Sequence, residues 1–219
     1  MVTVCLTSCG RADLLKKTLT SFFKFNTYPI SDFLIYDDDP TKRSEIEDVC
    51  SEFNVKLLPS KGVIIGQIKA IDILYSFVKT KYIFHLEDDW EFFKSGFIED
   101  SLPILNDRKN IICVWLRAES DTNDHPAANV VYEAGKIKYK LLKRNHLNTW
   151  HGFSFNPGLR RLSDYQLCKK YQNIAMFIPS IPGRSEAKIG AFYMKRGYFA
   201  AIICGDGYVM HTGEGRGIR

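Results

Sequence analysis

Three consecutive acids, Glu87, Asp88 and Asp89, stand between the apolar run YIFHL and the aromatic-rich WEFF. Carboxylates this close repel one another, by roughly 4 kcal/mol per pair at ~4 Å for an effective dielectric of about 20. A divalent cation would remove the repulsion. Mg²⁺ or Mn²⁺ takes only one or two carboxylates and completes its shell with water and substrate phosphate. Glu87 with Asp89, or Asp89 alone, would therefore suffice, leaving Asp88 to hydrogen-bond a sugar or ribose. The plainer role for Asp88 or Asp89 is to cap a helix, where free N–H groups and the macrodipole favour an acid.

Other groups fit the same chemistry. Asp37, Asp38 and Asp39 form a second acidic run, where a carboxylate could accept hydrogen bonds from a ribose or base; a turn ahead of Pro40 would also account for any one of them. Ser8, Cys9, Gly10 and Arg11 join a strand pattern to a helix pattern, and a helix amino end with an arginine suits a diphosphate. Neither GxGxxG nor GxxxxGK[ST] occurs there, which speaks against a dinucleotide enzyme and a P-loop. Residues 61–67, KGVIIGQ, make a glycine-containing loop ending at Gln67 that could close over a nucleotide. His211, in YVMHTGEGR, could complete a metal shell with carboxylates and phosphates, although a lone histidine is more often structural.

These groups need a scaffold to bring them together. Residues 2–7 read as a buried strand, and 12–25 place Leu14, Leu15, Leu19, Phe22 and Phe23 near helical spacing. Strands at 33–36, 55–58 and 82–86 alternate with helical patterns at 44–53 and about 66–78. Repeated β-α predicts a parallel sheet with right-handed crossovers. Ligands bind such sheets beyond the carboxyl ends of the strands, so TSCGR, DDD and EDD should converge on one edge. After a helix at 97–105 and a strand at 111–116 the rhythm changes. Residues 118–128 are polar, 130–142 suggest a hairpin turning at Ala134-Gly135, and SFNPGLRR predicts a turn followed by a helix. The fold class is α/β with a mixed α+β second half.

With 219 residues, 45% hydrophobic and 25% charged, and no repeat, low-complexity tract or linker, the chain reads as a single domain spanning 1–219. The charge of +5 is scattered, with KLLKR at 140–144 the densest basic cluster, which is too thin for a nucleic-acid footprint. Six cysteines form no CxxC pair, and several lie in apolar runs where a thiol behaves as a small hydrophobe. That usage predicts a reducing, cytoplasmic setting. The chain opens almost directly on a strand, without a basic and apolar leader, and no run is long enough to cross a bilayer. Any membrane contact is then peripheral.

The order of TSCGRADLLKKTLTSF, FLIYDDDP, YIFHLEDDWEFF, a distal Glu in GRSEAKIGAFYMKRGY, and HTGEGR resembles the GT-A glycosyltransferases, specifically inverting family-2-like enzymes. The resemblance spans nearly the whole chain. It implies a Rossmann-like nucleotide-sugar-binding half at 1–117, with a mainly parallel sheet, and an acceptor-binding half at 118–219. EDD looks like the variant of the DxD metal motif in some N-acetylglucosaminyltransferases, whose last acid is the main metal ligand; that analogy points to Asp89. Position by position, the family pattern implies Thr7, Ser8 and Arg11 near the nucleotide, and one of Asp37, Asp38 and Asp39 on the uracil or ribose. Asp88 and Asp89 would flank sugar and metal. The acid of the family's Glu-Asp element falls on Glu186, ahead of Gly197-Tyr198, as general base, with Asp164 in RRLSDYQ as its rival. Two positions depart from the pattern: Ser185-Glu186 replaces Glu-Asp, and the first acid of the metal motif is Glu87.

The expected activity is metal-dependent transfer, with Mn²⁺ or Mg²⁺, of a hexosyl or N-acetylhexosaminyl group from a nucleotide-diphosphate sugar. UDP is the expected nucleotide, a hydroxyl of a glycan or glycoconjugate is the acceptor, and the transfer inverts configuration. Two other classes compete. A sugar-phosphate nucleotidyltransferase would want a glycine- and arginine-rich loop near the first strand, where only Gly10 and Arg11 are offered. A non-catalytic carbohydrate-binding module with a decayed site would have no use for EDD, Glu186 and His211 together.

Overall fold

The structure, a computed structural model, describes residues 1–146, 150–175, 184–213 and 215. Its first half alternates β1 (Val2–Ser8), α1 (Ala12–Phe25), β2 (Ile30–Asp37), α2 (Arg43–Glu52), β3 (Lys56–Leu57), α3 (Gln67–Ser76) and β4 (Tyr82–Glu87). A short strand β5 (Trp90–Phe92), α4 (Phe97–Asp107) and β6 (Ile111–Trp115) follow. The second half comprises β7 (Ala127–Ala134), β8 (Ile137–Leu142), β9 (Gly158–Arg161), α5 (Leu162–Gln166), α6 (Gln172–Ala175), α7 (Arg184–Met194), β10 (Phe199–Ile203) and β11 (Val209–His211).

All seven residues of β1 are buried, as expected of a central strand covered on both faces. β2 and β4 flank it in parallel, and the sheet order is β3-β2-β1-β4-β9. Alternate residues serve opposite layers. Val4, Leu6 and Phe84 pack with Leu15, Leu19 and Phe22 of α1 and Ile46 of α2. Cys5, Leu34 and Ile83 pack with Ile71, Leu74 and Tyr75 of α3 on the other side. Phe22 anchors the first layer, meeting Phe33 at 5.2 Å and Phe92 at 5.3 Å between ring centroids, both edge-on.

A second sheet runs β6-β10-β8-β7, with β10 parallel to β6 and antiparallel to β8. The expected hairpin is β7–β8, turning at Gly135-Lys136. One expectation needs correction. SFNPGLRR does not pass from a turn straight into a helix: Gly158–Arg161 is β9, antiparallel to β4, and α5 begins only at Leu162. Two arginines in four residues hid the strand, and the free edge of β4 decides its conformation, since strand formation follows tertiary pairing more than composition. β9 also carries a second-half segment into the first-half sheet. All six cysteines are free thiols, and among the described residues no helix is long and apolar enough to cross a membrane.

Candidate active site

The carboxyl ends of β1, β2 and β4 open into a cleft of about 390 Å³, lined by Thr7, Ser8, Arg11, Asp38, Gln67, Glu87, Asp88 and Asp89 among others. The acidic turn after β4 is fixed from below by α1. Thr18 Oγ1 donates to the Asp88 carbonyl at 2.8 Å and accepts the Trp90 N–H at 3.1 Å, and Ser21 Oγ accepts the Phe92 N–H at 3.0 Å. Both hydroxyls sit on the buried face of an amphipathic helix, where hydrophobic periodicity gives no reason to look for them. They satisfy backbone groups that a purely apolar face would orphan.

The three acids occupy three different environments. Asp88 is fully buried; it accepts from Ser8 Oγ at 2.8 Å, from Arg11 Nε at 3.1 Å and from Arg11 Nη2. Burial pushes it up to about 6, against the lowering influence of Arg11. Asp89 Oδ2 lies 3.0 Å from Arg11 Nη1 and 3.5 Å from His211 Nε2. Burial works against its ionisation, but the hydrogen bond to His211 and the Arg11 charge hold it below the usual carboxylate range. Glu87 accepts from Gln67 Nε2 at 2.5 Å and from Trp90 Nε1 at 3.2 Å. Burial first, then the charges of Asp89 and Glu186, raise it to about 8.

Glu87 thus holds bonds to Gln67 and Trp90. Among the described residues no group of three or more His, Cys, Asp or Glu side chains is placed to hold a metal. Asp89 and His211 alone are a suitable donor set for Mg²⁺ or Mn²⁺, which complete their shells with phosphate and water. His211 gets there because β11 pairs antiparallel with β5, setting it opposite Trp90, and Thr212 N–H donates to the Asp89 carbonyl at 2.8 Å. Gly213 passes so close that a Cβ there would lie 2.5 Å from Asp89 Oδ2. Of the rest of HTGEGR, residues 214 and 216 lie outside the described residues.

The aspartates after β2 serve the protein's own backbone. Asp37 accepts from Gly10 N–H at 2.9 Å and Asp39 N–H at 3.0 Å. Asp39 caps the turn at Pro40–Lys42 through Thr41, so the plain turn role describes it. Asp38 is the one of the three that lines the cleft, and it accepts from the N–H groups of Ile65 (2.8 Å) and Gly66 (2.7 Å), clamping the 61–67 loop. Gly10, at φ +68°, leaves no room for a side chain: a Cβ would meet Asp39 Oδ2 at 2.7 Å.

Glu186 stands in the first turn of α7, where Oε1 accepts the Phe155 N–H at 2.5 Å. Burial raises its pKa, opposed by hydrogen bonds from Phe155 and Ser154 and by the charge of Arg160. Gly158 is level with His85 in the antiparallel β9–β4 pair, so the preceding residues continue toward the carboxyl end of β4. That brings Glu186 near enough for its charge to act on Glu87. Asp164 is not brought to the cleft. It follows Arg161, which pairs with Tyr82 at the opposite end of β4, and its Oδ2 lies 2.5 Å from Arg161 Nη1 while Tyr198 OH donates to Oδ1 at 3.2 Å. Asp164 is the counter-charge of a buried arginine, and the expectation of a rival base there is withdrawn.

Trp90 is a site residue that sequence reasoning missed. Its ring lies 5.1 Å from the His211 ring and 5.3 Å from the Arg117 guanidinium carbon, while its N–H holds Glu87. Its position directly after the acids was the available signal.

Comparison with known proteins identifies the family. Residues 3–167 match the family model described as glycosyl transferase family 2. A mannosyltransferase from Pyrobaculum calidifontis, solved with GDP-Man and Mn²⁺, superposes with a TM-score of 0.68 at 12% identity, covering 99% of this chain and 58% of that one. TarS of S. aureus, residues 1–349, superposes at 0.59 with 11% identity, over 97% of this chain and 60% of that one. The same TarS fragment in complex with UDP gives 0.58. This chain therefore spans about three fifths of those chains. No protein with a curated description matches the sequence directly. The chain belongs to glycosyl transferase family 2, as a glycosyltransferase domain of the GT-A fold.

Proposed function

We propose that this domain transfers a sugar from a nucleoside-diphosphate sugar, with UDP as the nucleotide, to a hydroxyl acceptor with inversion and with the help of Mn²⁺ or Mg²⁺. The observation that carries the reading is the meeting of Asp89, Arg11 and His211 at one end of the cleft, with Glu186 nearby at the same sheet edge. The likeness to proteins solved with GDP-Man and Mn²⁺ or with UDP supports it.

Each group has work that its surroundings allow. Thr7, Ser8 and the amino end of α1 border the donor, and Arg11 supplies positive charge toward the diphosphate. Asp38 holds the 61–67 loop against the cleft, and Gln67, bonded to Glu87, closes that side. Asp89 and His211 would hold the divalent ion, as the form the EDD motif takes here; when bound, it supplies charge neutralisation for the leaving diphosphate. Asp88 fixes Arg11 and Ser8 in place. Glu186 takes the proton of the acceptor hydroxyl as the sugar passes through an oxocarbenium-like state, and no covalent intermediate is needed.

The test is a donor panel: UDP-glucose, UDP-N-acetylglucosamine and GDP-mannose, each with Mn²⁺ and a range of glycan acceptors, scored for free nucleoside diphosphate and by mass spectrometry of products. Pyrophosphate in place of nucleoside diphosphate would support a nucleotidyltransferase, and silence a binding module. In titration calorimetry UDP should bind much more tightly with Mn²⁺ than with chelator, and Asp89→Asn should abolish that difference. An unchanged metal dependence in Asp89→Asn would return Asp89 to a structural role.

A further inference from the structure

We infer that Arg160 is a positioning residue for Glu186, acting through the peptide unit between Ser154 and Phe155; this rests on the reading of Glu186 as the base. Arg160 lies in β9 and is 1% exposed, with its guanidinium carbon 5.6 Å from the Phe153 ring centre and 5.8 Å from that of Phe155. Among the described residues it forms no ion pair; its Nε and Nη1 make no hydrogen bond of ordinary geometry, and the Tyr171 hydroxyl is the polar side chain beside it. Burying a guanidinium without an ion-paired carboxylate is unfavourable, and a methionine would fill similar space without that penalty. Where the charge is directed is informative.

Arg160 Nη2 donates to the Ser154 carbonyl at 3.2 Å. The N–H of that same peptide unit, on Phe155, donates to Glu186 Oε1 at 2.5 Å. A trans peptide is planar, with C=O and N–H pointing opposite ways, so the guanidinium grips one side of a rigid plate whose other side holds the carboxylate. Hydrogen bonds in such a chain polarise one another. The arginine therefore both aims the Phe155 N–H and strengthens it. Its positive charge also acts directly on the Glu186 carboxyl, opposing the effect of burial there. Arg160 touches no substrate in this arrangement; it acts through the placement of the group that does.

The experiment is a double-mutant cycle. The kcat and donor KM of nucleoside diphosphate release are measured for wild type, Arg160→Met, Glu186→Gln and the double variant. UDP-N-acetylglucosamine, UDP-glucose and GDP-mannose serve as donors with Mn²⁺. Arg160→Met should lower kcat about ten- to hundredfold, the scale of a base displaced by a fraction of an ångström, with donor KM within about twofold. In the Glu186→Gln background the same change should alter kcat by less than about twofold, because the two residues act as a unit. Arg160→Lys, which keeps a donor and the charge but not the planar fork, should recover part of the loss. If Arg160→Met does not fold, Arg160→Lys carries the cycle, with a smaller loss and the same dependence on Glu186. Equal losses in both backgrounds, or a loss appearing in donor KM, would overturn the inference. Near-normal turnover by Glu186→Gln alone would remove the base assignment and this inference with it, and is read before any Arg160 variant is made.

Discussion

His211 sits on the exposed side of Asp89, so its removal should touch function without touching the core. His211→Ala is expected to raise the Mn²⁺ concentration needed for half-maximal turnover by roughly 10–100-fold, since one of the two proposed protein ligands is lost. Excess Mn²⁺ should restore much of the rate while the melting temperature stays within a few degrees. Equal activity at low Mn²⁺ would assign the histidine to structure. For Glu186→Gln, shape and nucleotide affinity should persist while turnover falls by roughly 10²–10⁴, which steady-state kinetics beside UDP calorimetry would separate. The acids were legible in sequence because their crowding is chemically improbable without a purpose. Their separate environments were not, since these depend on partners far along the chain: Ser8 and Arg11 for Asp88, Trp90 and Gln67 for Glu87, β11 for Asp89. Asp164 misled for the same reason, because nothing local announces that Arg161 is buried beside it.

At the scale of elements, most of the first half was readable because period and burial agree there, as in α1 with its stripe of Leu14, Leu15, Leu19 and Phe22, although β2 begins three residues earlier than expected and β5 was not read. β9 was unreadable because its stability is borrowed from β4. The 61–67 loop shows an intermediate case: its glycines mark it as a loop, but its anchor, Asp38, belongs to another element. Asp38→Ala removes a carboxylate that accepts two backbone N–H groups, and bonds to a charged acceptor contribute about 1.5–3 kcal/mol each. Because water can replace part of this at the cleft edge, urea denaturation should show a loss of about 2–3 kcal/mol. Donor KM should rise, and limited proteolysis within 61–64 should accelerate. Unchanged proteolysis would mean that the clamp does not govern the loop.

Across the whole molecule, burial of ionisable groups makes stability depend on pH. His125 is 1% exposed, with Nε2 bonded to the Lys143 carbonyl at 2.9 Å. Burial, aided by the charges of His146 and His151 and opposed by that bond, lowers its pKa to about 4. An unfolded histidine titrates near 6.5. Below that value the unfolded chain binds a proton that the folded one refuses, so stability falls as pH drops from about 6.5 to about 4. Between pH 7 and 4.5 wild type should therefore lose about 2–3 kcal/mol more than His125→Gln. Parallel slopes in urea titrations at the two pH values would show that His125 protonates equally in both states.

The β4–β9 pairing also bears on how this fold can be recombined. A boundary at residues 117 and 118, natural by the change of rhythm in the sequence, would draw β4 from one parent and β9 from another. The register Tyr82–Arg161 to His85–Gly158 would then be formed by strands with no shared history, and the loop that leads to Glu186 would inherit its error. A hybrid joined after α5 keeps β4 and β9 from one parent, but draws α7 with Glu186, β10 and β11 from the other, and so splits β6 from β10 and β5 from β11 instead. The pairings of β4 with β9, β6 with β10 and β5 with β11 tie the two halves together, so altered specificity is better sought by substitution within one chain than by a crossover between two.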